Sequence, residues 1–259
     1  MRVALIGATG RMGAAIRAVL DADPEATLAQ VFTHDGDSAV GGSLGGLAIE
    51  VLKPDSVVDA DVAIEFSSPA GLVLAAARCG SAGVPLVSGT TGVNAAGFAA
   101  LDALAERTPC VWAPNMSVGV NLLFHLAELA TRLAGPGFDP EIVEMHHRHK
   151  VDAPSGTAVR LAERVAEARD QVASEVVKHG RSGAAGPRTD DEIGVMTLRG
   201  GSVVGDHTLI LAGEGERLEL SHRAQDRGIF AQGAVRAAHW VVGRPPGRYG
   251  MPDVLGLSA

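Results

Sequence analysis

Residues 146–158 read HHRHKVDAPSGTA, which sets three histidines and a lysine within five positions and follows them with a helix start. His146 and Lys150 are both proton carriers, and burial or neighbouring charge can bring the pKa of either towards neutrality. Asp152, Pro154, Ser155, Gly156 and Thr157 then break the chain ahead of an alanine-rich helical pattern. The free N–H groups of a first helical turn bind anions, so acid/base chemistry and carboxylate binding can share one short segment. Two other readings stand beside that one. His146, His147, His149 and Glu144 are all capable metal ligands, but a strand points His146 and His147 to opposite faces and Arg148 and Lys150 repel a cation, so no metal is expected. The third reading is a polar strand end with solvated histidines.

The elements around this segment predict how it is held. Residues 140–147, PEIVEMHH, alternate apolar and polar like a strand exposed on one face, and a helix is expected from about 156 to 169. A hydrophilic, glycine-containing loop at 178–192 is expected to be mobile. Three strand candidates follow at 193–198, 206–212 and 216–222. Together they predict an α+β unit with a mixed, mostly antiparallel sheet carrying helices on one face.

The first half of the chain has a different pattern. Residues 2–6, RVALI, form the continuous apolar run of a parallel strand buried on both faces, and GATGRMG follows at once. Met12, Ala15, Ile16, Val19 and Leu20 then recur at helical spacing. Strand, glycine turn and helix make a dinucleotide site, in a variant with Ala8 where the commonest fingerprint has glycine. Gly10 lets a pyrophosphate approach the backbone, Gly13 lets the helix pack on the strand, and Arg11 can reach a phosphate. A second strand is expected at 27–32. NAD-binding proteins usually place an acid at its end to hold the ribose hydroxyls; here stand Thr33 and His34, with Asp35 beyond. His34 can favour a 2′-phosphate instead, which leaves NADH against NADPH open. The glycine-rich stretch 36–46 reads as a surface connection with no function.

Further strands are expected at 61–66, 84–88 and 109–113, with helices from Ser67 to about Gly80 and from 94 to 107. They complete five β-units of a Rossmann-type α/β fold. Gly89, Thr90, Thr91 and Gly92 follow the fourth strand, where loops line the ligand crevice, and are expected to face the nicotinamide half of a cofactor. A helical pattern starts near Ser117, at a crossing between domains. The stripe Phe230, Ala234, Ala237, Ala238 and Val241 predicts a terminal helix that packs back on the first domain.

Composition bounds the rest. The 259 residues, 46% hydrophobic and 20% charged, suit a soluble chain of one large or two modest domains. Thirty-three glycines and 3% aromatics fit an aliphatic α/β core with many turns. A net charge of −8 argues against nucleic acid or an anionic membrane as partner. Cys79 and Cys110 fall in helix and strand patterns and are expected as buried free thiols, which with the early strand start and the lack of a long apolar run suggests the cytoplasm.

GATGRMG at 7–13, GTTG at 89–92, APNMSVGVNLL at 113–123 and HHRHKVDAPSGTA at 146–158 together resemble bacterial 4-hydroxy-tetrahydrodipicolinate reductases, formerly called dihydrodipicolinate reductases. The likeness continues through RGGSVVGDHTL at 199–209 and RGIFAQGAVRAAHW at 227–240. It implies NADH- or NADPH-dependent reduction of 4-hydroxy-tetrahydrodipicolinate to tetrahydrodipicolinate with loss of water, in the diaminopimelate route to lysine. The small dicarboxylate would meet His146 as proton donor/acceptor, Lys150 as proton donor and His147 as a contact, with Gly156 and Thr157 holding a carboxylate. The cofactor would contact Gly7, Ala8, Thr9, Gly10, Arg11 and Met12, then Gly89, Thr90 and Thr91, then Ala113, Pro114, Asn115 and Met116. Thr33 and His34 depart from the acid and base that many members carry after the second strand. The resemblance also implies a homotetramer, and a cofactor domain of 1–117 completed by 227–259 beside a substrate-binding and oligomerisation domain of 118–226. Two readings outside it are a reductase of another carbonyl compound on the same architecture and a nucleotide-sensing protein without turnover.

Overall fold

The computed structural model describes residues 1–257 and divides into two compact units. One runs from Met1 to Val118 and takes in the chain from Arg227 onward; the other is Gly119–Asp226.

The first unit contains β1 (Arg2–Ile6), α1 (Arg11–Asp21), β2 (Thr27–Thr33), β3 (Ser43–Leu44), β4 (Leu47–Val51), β5 (Val62–Glu65), α2 (Pro69–Ala82), β6 (Leu86–Ser88), α3 (Ala95–Ala105) and β7 (Pro109–Trp112). Its eight strands lie in the order β13-β7-β6-β5-β1-β2-β4-β3, where β13 is Gly247–Tyr249 near the end of the chain. All pairings are parallel except β3 with β4. The chain leaves β1 to one side through β2 and returns on the other through β5, so the order reverses between β1 and β5. Ligands bind at such a switch point, outside the carboxyl ends of the strands.

Successive β1 residues feed two cores. Val3 and Leu5 pack with α1, while Ala4 and Ile6 pack with α2 and α3 on the opposite face. This two-sided burial explains the unbroken apolar run. Local signals fix the helix starts: Ser68 Oγ accepts from the Gly71 N–H at 3.1 Å ahead of Pro69, and Asn94 Oδ1 accepts from the Gly97 N–H at 3.1 Å. Cys79 and Cys110 are free and buried, and burial pushes both thiols up to about 12.

The second unit holds most of α4 (Val118–Ala134), then β8 (Asp139–His146), α5 (Gly156–Ala168), α6 (Ala173–Val176), β9 (Val177–His179), β10 (Ile193–Arg199), β11 (Gly205–Gly213) and β12 (Glu216–Ala224). Its sheet runs β12-β11-β8-β10-β9 and is mixed. The antiparallel pairs β11–β12 and β11–β8 match nine and seven residues; the parallel pairs β10–β8 and β10–β9 match six and three. Residues 142, 144 and 146 of β8 are buried on one face, and α4 and α5 share a core with Ile142, Leu209 and Leu211. The loop expected to be mobile is tied to this sheet at two arginines. Arg181 pairs with Glu141 at 2.7 Å and with Glu192, and Arg188 pairs with Asp139 at 2.8 Å and Glu141 at 3.1 Å.

The chain then returns to the first unit as α7 (Gly228–Val241), β13 (Gly247–Tyr249) and α8 (Met251–Leu255). Ala231, Ala234, Ala238 and Val241 of α7 enter the core shared with β1 and α1, which is the packing expected of the terminal stripe. Among the described residues no helix is long and apolar enough to cross a membrane.

Candidate active site

The glycine turn of the first unit is shaped by close approaches. Gly7 has φ +83°, and a Cβ there would run into the Phe66 carbonyl; a Cβ at Gly13 would meet the carbonyls of Gly7 and Ala8. The Gly7 and Ala8 N–H groups both donate to the Phe32 carbonyl, at 2.9 and 3.1 Å, and Gly10 N–H donates to Gly7 O at 3.1 Å. Gly10 caps α1 without a side chain. Helix geometry supplies no acceptor for the N–H groups of the first turn, those of Arg11 and Met12 among them, so they are open to meet an anion. Two clefts flank this turn and share Gly10. One of about 530 Å³ reaches Thr90, Pro114, Asn115, Met116, Arg227 and Phe230; the other, of about 960 Å³, reaches Thr9, Thr33, His34, Asp35 and Asp37. A backbone cradle between two clefts at the switch point fits a dinucleotide, its adenosine over β2 and its nicotinamide over β6 and β7. Gly10, Arg11, Met12, Gly89, Thr90, Thr91 and residues 114–116, all named from sequence as cofactor contacts, line the cleft of about 530 Å³. Ala8 and Ala113 are buried and line neither cleft.

Behind Ser67 and Thr90, which line the cleft of about 530 Å³, lies Glu65, fully buried at the end of β5. It accepts from Ser88 Oγ at 2.6 Å, Thr90 Oγ1 at 2.7 Å, Ser67 N–H at 2.8 Å and the Ser67 hydroxyl. The loops that carry Ser67 and Thr90 are thus pinned to one carboxyl group. Burial raises its pKa, and the hydrogen bonds do not fully offset that. Phe66, which lines both clefts, is held against Gly89, where any Cβ would strike its ring. Phe66, Ser67, Arg227 and Phe230 were not expected at the site; the EFSSP strand end and the quoted 227–240 motif were the available signals.

In the second unit the alternation of β8 delivers Glu144 and His146 to the buried face together. His146 Nδ1 lies 2.6 Å from Glu144 Oε2. Glu144 is held in turn by Arg199, Nη1 to Oε2 at 2.8 Å and Nη2 to Oε1 at 3.0 Å, and by the Ser155 N–H at 3.0 Å and Thr197 Oγ1 at 3.3 Å. Sheet register makes this possible, since Thr197 lies opposite Glu144 and Arg199 opposite His146 on β10, while His207 lies opposite Glu144 on β11. Burial pushes the Glu144 carboxyl up, but Arg199, His146 and the Ser155 N–H together outweigh it and hold the group at about 2. A carboxylate saturated by a guanidinium is no metal ligand. Among the described residues no three His, Cys, Asp or Glu side chains are grouped to hold a metal.

Burial lowers the His146 pKa, Glu144 raises it, and Lys150 and Arg199 lower it again, for a net downward shift. Its ring meets His207 edge-on with centroids 5.2 Å apart, and a Cβ at Gly205 would sit 2.9 Å from Nε2, so the glycine leaves that nitrogen room. His207 is itself pushed down to about 4, mainly by burial. Its Nε2 lies 2.9 Å from Ser155 Oγ, which also accepts from the Ala158 N–H at 3.1 Å as the cap of α5. His146, Glu144, Ser155 and His207 form one connected network, which ends on Ser155 as the cap of α5 ahead of Gly156 and Thr157. Lys150 Nζ contacts Asp152 Oδ1 at 2.8 Å with the lysine side chain mostly buried. The His147 Nδ1 is buried with no hydrogen-bond partner. Sequence alone does not point to Arg199, Gly205 and His207, although RGGSVVGDHTL contains all three.

Comparison with known proteins agrees along the whole chain. Residues 1–116 match the family model "Dihydrodipicolinate reductase, N-terminus" and residues 119–255 match "Dihydrodipicolinate reductase, C-terminus". The chain is 47% identical over 265 residues to the 4-hydroxy-tetrahydrodipicolinate reductase of Thiobacillus denitrificans, covering 100% of this chain and 99% of that protein. It is 48% identical to that of Alkalilimnicola ehrlichii, covering 99% of each. Among solved structures, the dipicolinate-bound dihydrodipicolinate reductase from Paenisporosarcina sp. TG-14 superposes with a TM-score of 0.79 at 27% identity over 98% of each chain. GenD2 from gentamicin A biosynthesis, solved with NAD, shares the fold with a TM-score of 0.60 at 16% identity over 99% of this chain and 90% of that one.

Proposed function

The chain belongs to the dihydrodipicolinate reductase family, and from that premise we propose that it reduces 4-hydroxy-tetrahydrodipicolinate to tetrahydrodipicolinate with loss of water, using NADH or NADPH. A bound nicotinamide dinucleotide supplies the hydride. The observation that carries the residue assignment is that Lys150, the Glu144–His146 pair and the α5 N-terminus lie in one segment and its immediate partners.

As an ammonium, Lys150 is a counter-ion to the substrate; it gives its proton to the ring nitrogen, which becomes electron-rich when hydride adds to C4 of the dehydrated, conjugated imine, and is left neutral until it takes a proton back from solvent. His146 carries protons at Nε2, because Glu144 accepts the Nδ1–H and fixes that tautomer. The N–H groups of Gly156 and Thr157 and the side chain of His147 hold a substrate carboxylate. In the first unit, the Arg11 and Met12 amides hold the pyrophosphate, and residues 89–91 and 114–116 hold the nicotinamide half. The second unit is then the substrate-binding and oligomerisation unit, the protein is cytoplasmic, and the assembly is a homotetramer, which light scattering checks. The reaction is tested by following oxidation of NADH and of NADPH with freshly generated cyclic imine. Oxidation only when the imine is present supports the reading; none, from folded protein that binds nucleotide, sinks it. Lys150→Met should lower kcat by about 10²–10⁴-fold while sparing cofactor affinity.

A further inference from the structure

The cleft on the adenosine side has an unusual answer to the missing acid after β2. Thr33 ends that strand, buried, with a hydroxyl where a carboxylate is usual. Four residues on, Asp37 turns back to it. Its Oδ2 lies 2.6 Å from Thr33 Oγ1 and 2.5 Å from Thr9 Oγ1, and the two hydroxyls are 2.8 Å apart. Asp37 Oδ1 accepts from the Ala39 N–H at 2.9 Å, and the turn that brings the residue back runs through Gly36 at φ +82°, a conformation that favours glycine. The side chain is only 14% exposed, so its position is built in.

We propose that Asp37 selects NADH over NADPH, its carboxylate standing in at the adenosine ribose for the acid that β2 lacks. This rests on the reading of the chain as a nicotinamide-dependent reductase. The triangle of Asp37 Oδ2, Thr9 Oγ1 and Thr33 Oγ1 has three oxygens and two protons, so one edge has no hydrogen to share. Such a site is short of donors. A ribose 2′-hydroxyl brings one, whereas a 2′-phosphate brings acceptors and about −1.5 to −2 charges. The hydroxyls of Thr33 and Thr9 and the Ala39 N–H hold Asp37 down at about 2, so it is charged wherever the enzyme works. The one basic side chain on this cleft among the described residues is His34; no lysine or arginine lines it. His34 Nδ1 is 2.8 Å from the Asp35 carbonyl oxygen and Nε2 is 3.9 Å from Asp37 Oδ2, so the imidazole faces a carboxylate of the same cleft. Asp35 adds a second negative charge to the lining. The balance is against a phosphate.

The test is direct binding of NADH and NADPH, by nicotinamide fluorescence and by calorimetry, to the wild type and to Asp37→Ser and Asp37→Asn. The wild type should bind NADH at least ~10-fold more tightly than NADPH, and both variants should narrow that ratio, chiefly by tightening NADPH. Asn keeps the side-chain shape, so it reads the charge even if the Ser variant does not fold. Equal or tighter NADPH binding by the wild type, or an unchanged ratio in the variants, overturns the role of Asp37 and leaves the reductase reading intact. Failure of the wild type to bind either dinucleotide overturns both.

Discussion

Glu65 and Glu144 are both fully buried at strand positions, one in each unit, and their charge is met in opposite ways. Glu65 is surrounded by three hydroxyls and an N–H, with no guanidinium or ammonium among its hydrogen-bond partners. Glu144 takes a bidentate Arg199 and an imidazole. The first ends with its pKa raised and the second at about 2. Neutral donors satisfy the lone pairs of a buried carboxyl group but cancel little of the cost of its charge, whereas a paired cation reverses the shift. The difference matches the two jobs. Glu65 ties together the loops that carry Ser67 and Thr90, and on the proposed function Glu144 stays charged to hold a histidine that carries protons.

The largest effect that would separate the two is loss of the cation. Arg199→Met leaves Glu144 as an uncompensated buried charge and should cost about 3–5 kcal/mol. Denaturant unfolding measures it, and part of the loss should return at acid pH, where Glu144 takes up a proton. If removing Arg199 cost no more than removing one hydroxyl from Glu65, the contrast would collapse.

Next is Glu144→Gln, which keeps the shape and removes the charge. It should lower kcat by about 10²-fold or more with cofactor affinity unchanged. Glu144 is what holds the His146 pKa up against burial, so the acidic limb of the pH–rate profile should move to lower pH. A fall in kcat with no movement of that limb would make Glu144 a packing residue only. Smaller again is Ser88→Ala at the Glu65 end, where one hydroxyl donor of four partners disappears, for about 1–2 kcal/mol. It should act on stability and on the KM for cofactor, and leave the pH profile in place.

How much of this was readable in advance follows the same divide. The glycine turn, the PEIVEMHH alternation and the cap before Gly156 are local patterns, and each shows in a few consecutive residues. Those patterns point to Gly10, His146, Lys150 and Thr157 as candidates. Arg199, His207 and Gly205 reach His146 only through the register of β8 with β10 and β11, across more than fifty residues of chain. No local pattern reports a register. Asp37 was hidden differently, inside a glycine-rich stretch that reads as a featureless connection until its turn brings the carboxylate back to Thr33. β4 and β13 were also missed. They are short strands that gain their stability from pairing with β2 and β7.

The smallest predicted effect gives the sharpest form of the comparison, because the two carboxyl groups must move stability in opposite directions with pH. Glu144 has a native pKa near 2 against 4.5 for the free group, so its contribution is complete above the free value and is lost as pH falls from there towards 2. Glu65 has a native pKa above 4.5, so the folded protein binds that proton more tightly than the unfolded chain does. Its effect is absent in acid and becomes a growing penalty as pH rises through 4.5 towards the raised value. Replacing it by Gln abolishes the penalty but adds an amide that faces hydroxyl donors, so the sign of the change at any one pH decides nothing. The slope decides. The stability of Glu65→Gln relative to wild type should rise with pH over that window, by at most about 1.4 kcal/mol per pH unit for one proton. The relative stability of Glu144→Gln should fall with pH on the other side of 4.5. Parallel slopes in the two variants would mean that three hydroxyls and an N–H can keep a buried carboxylate charged as well as an arginine does.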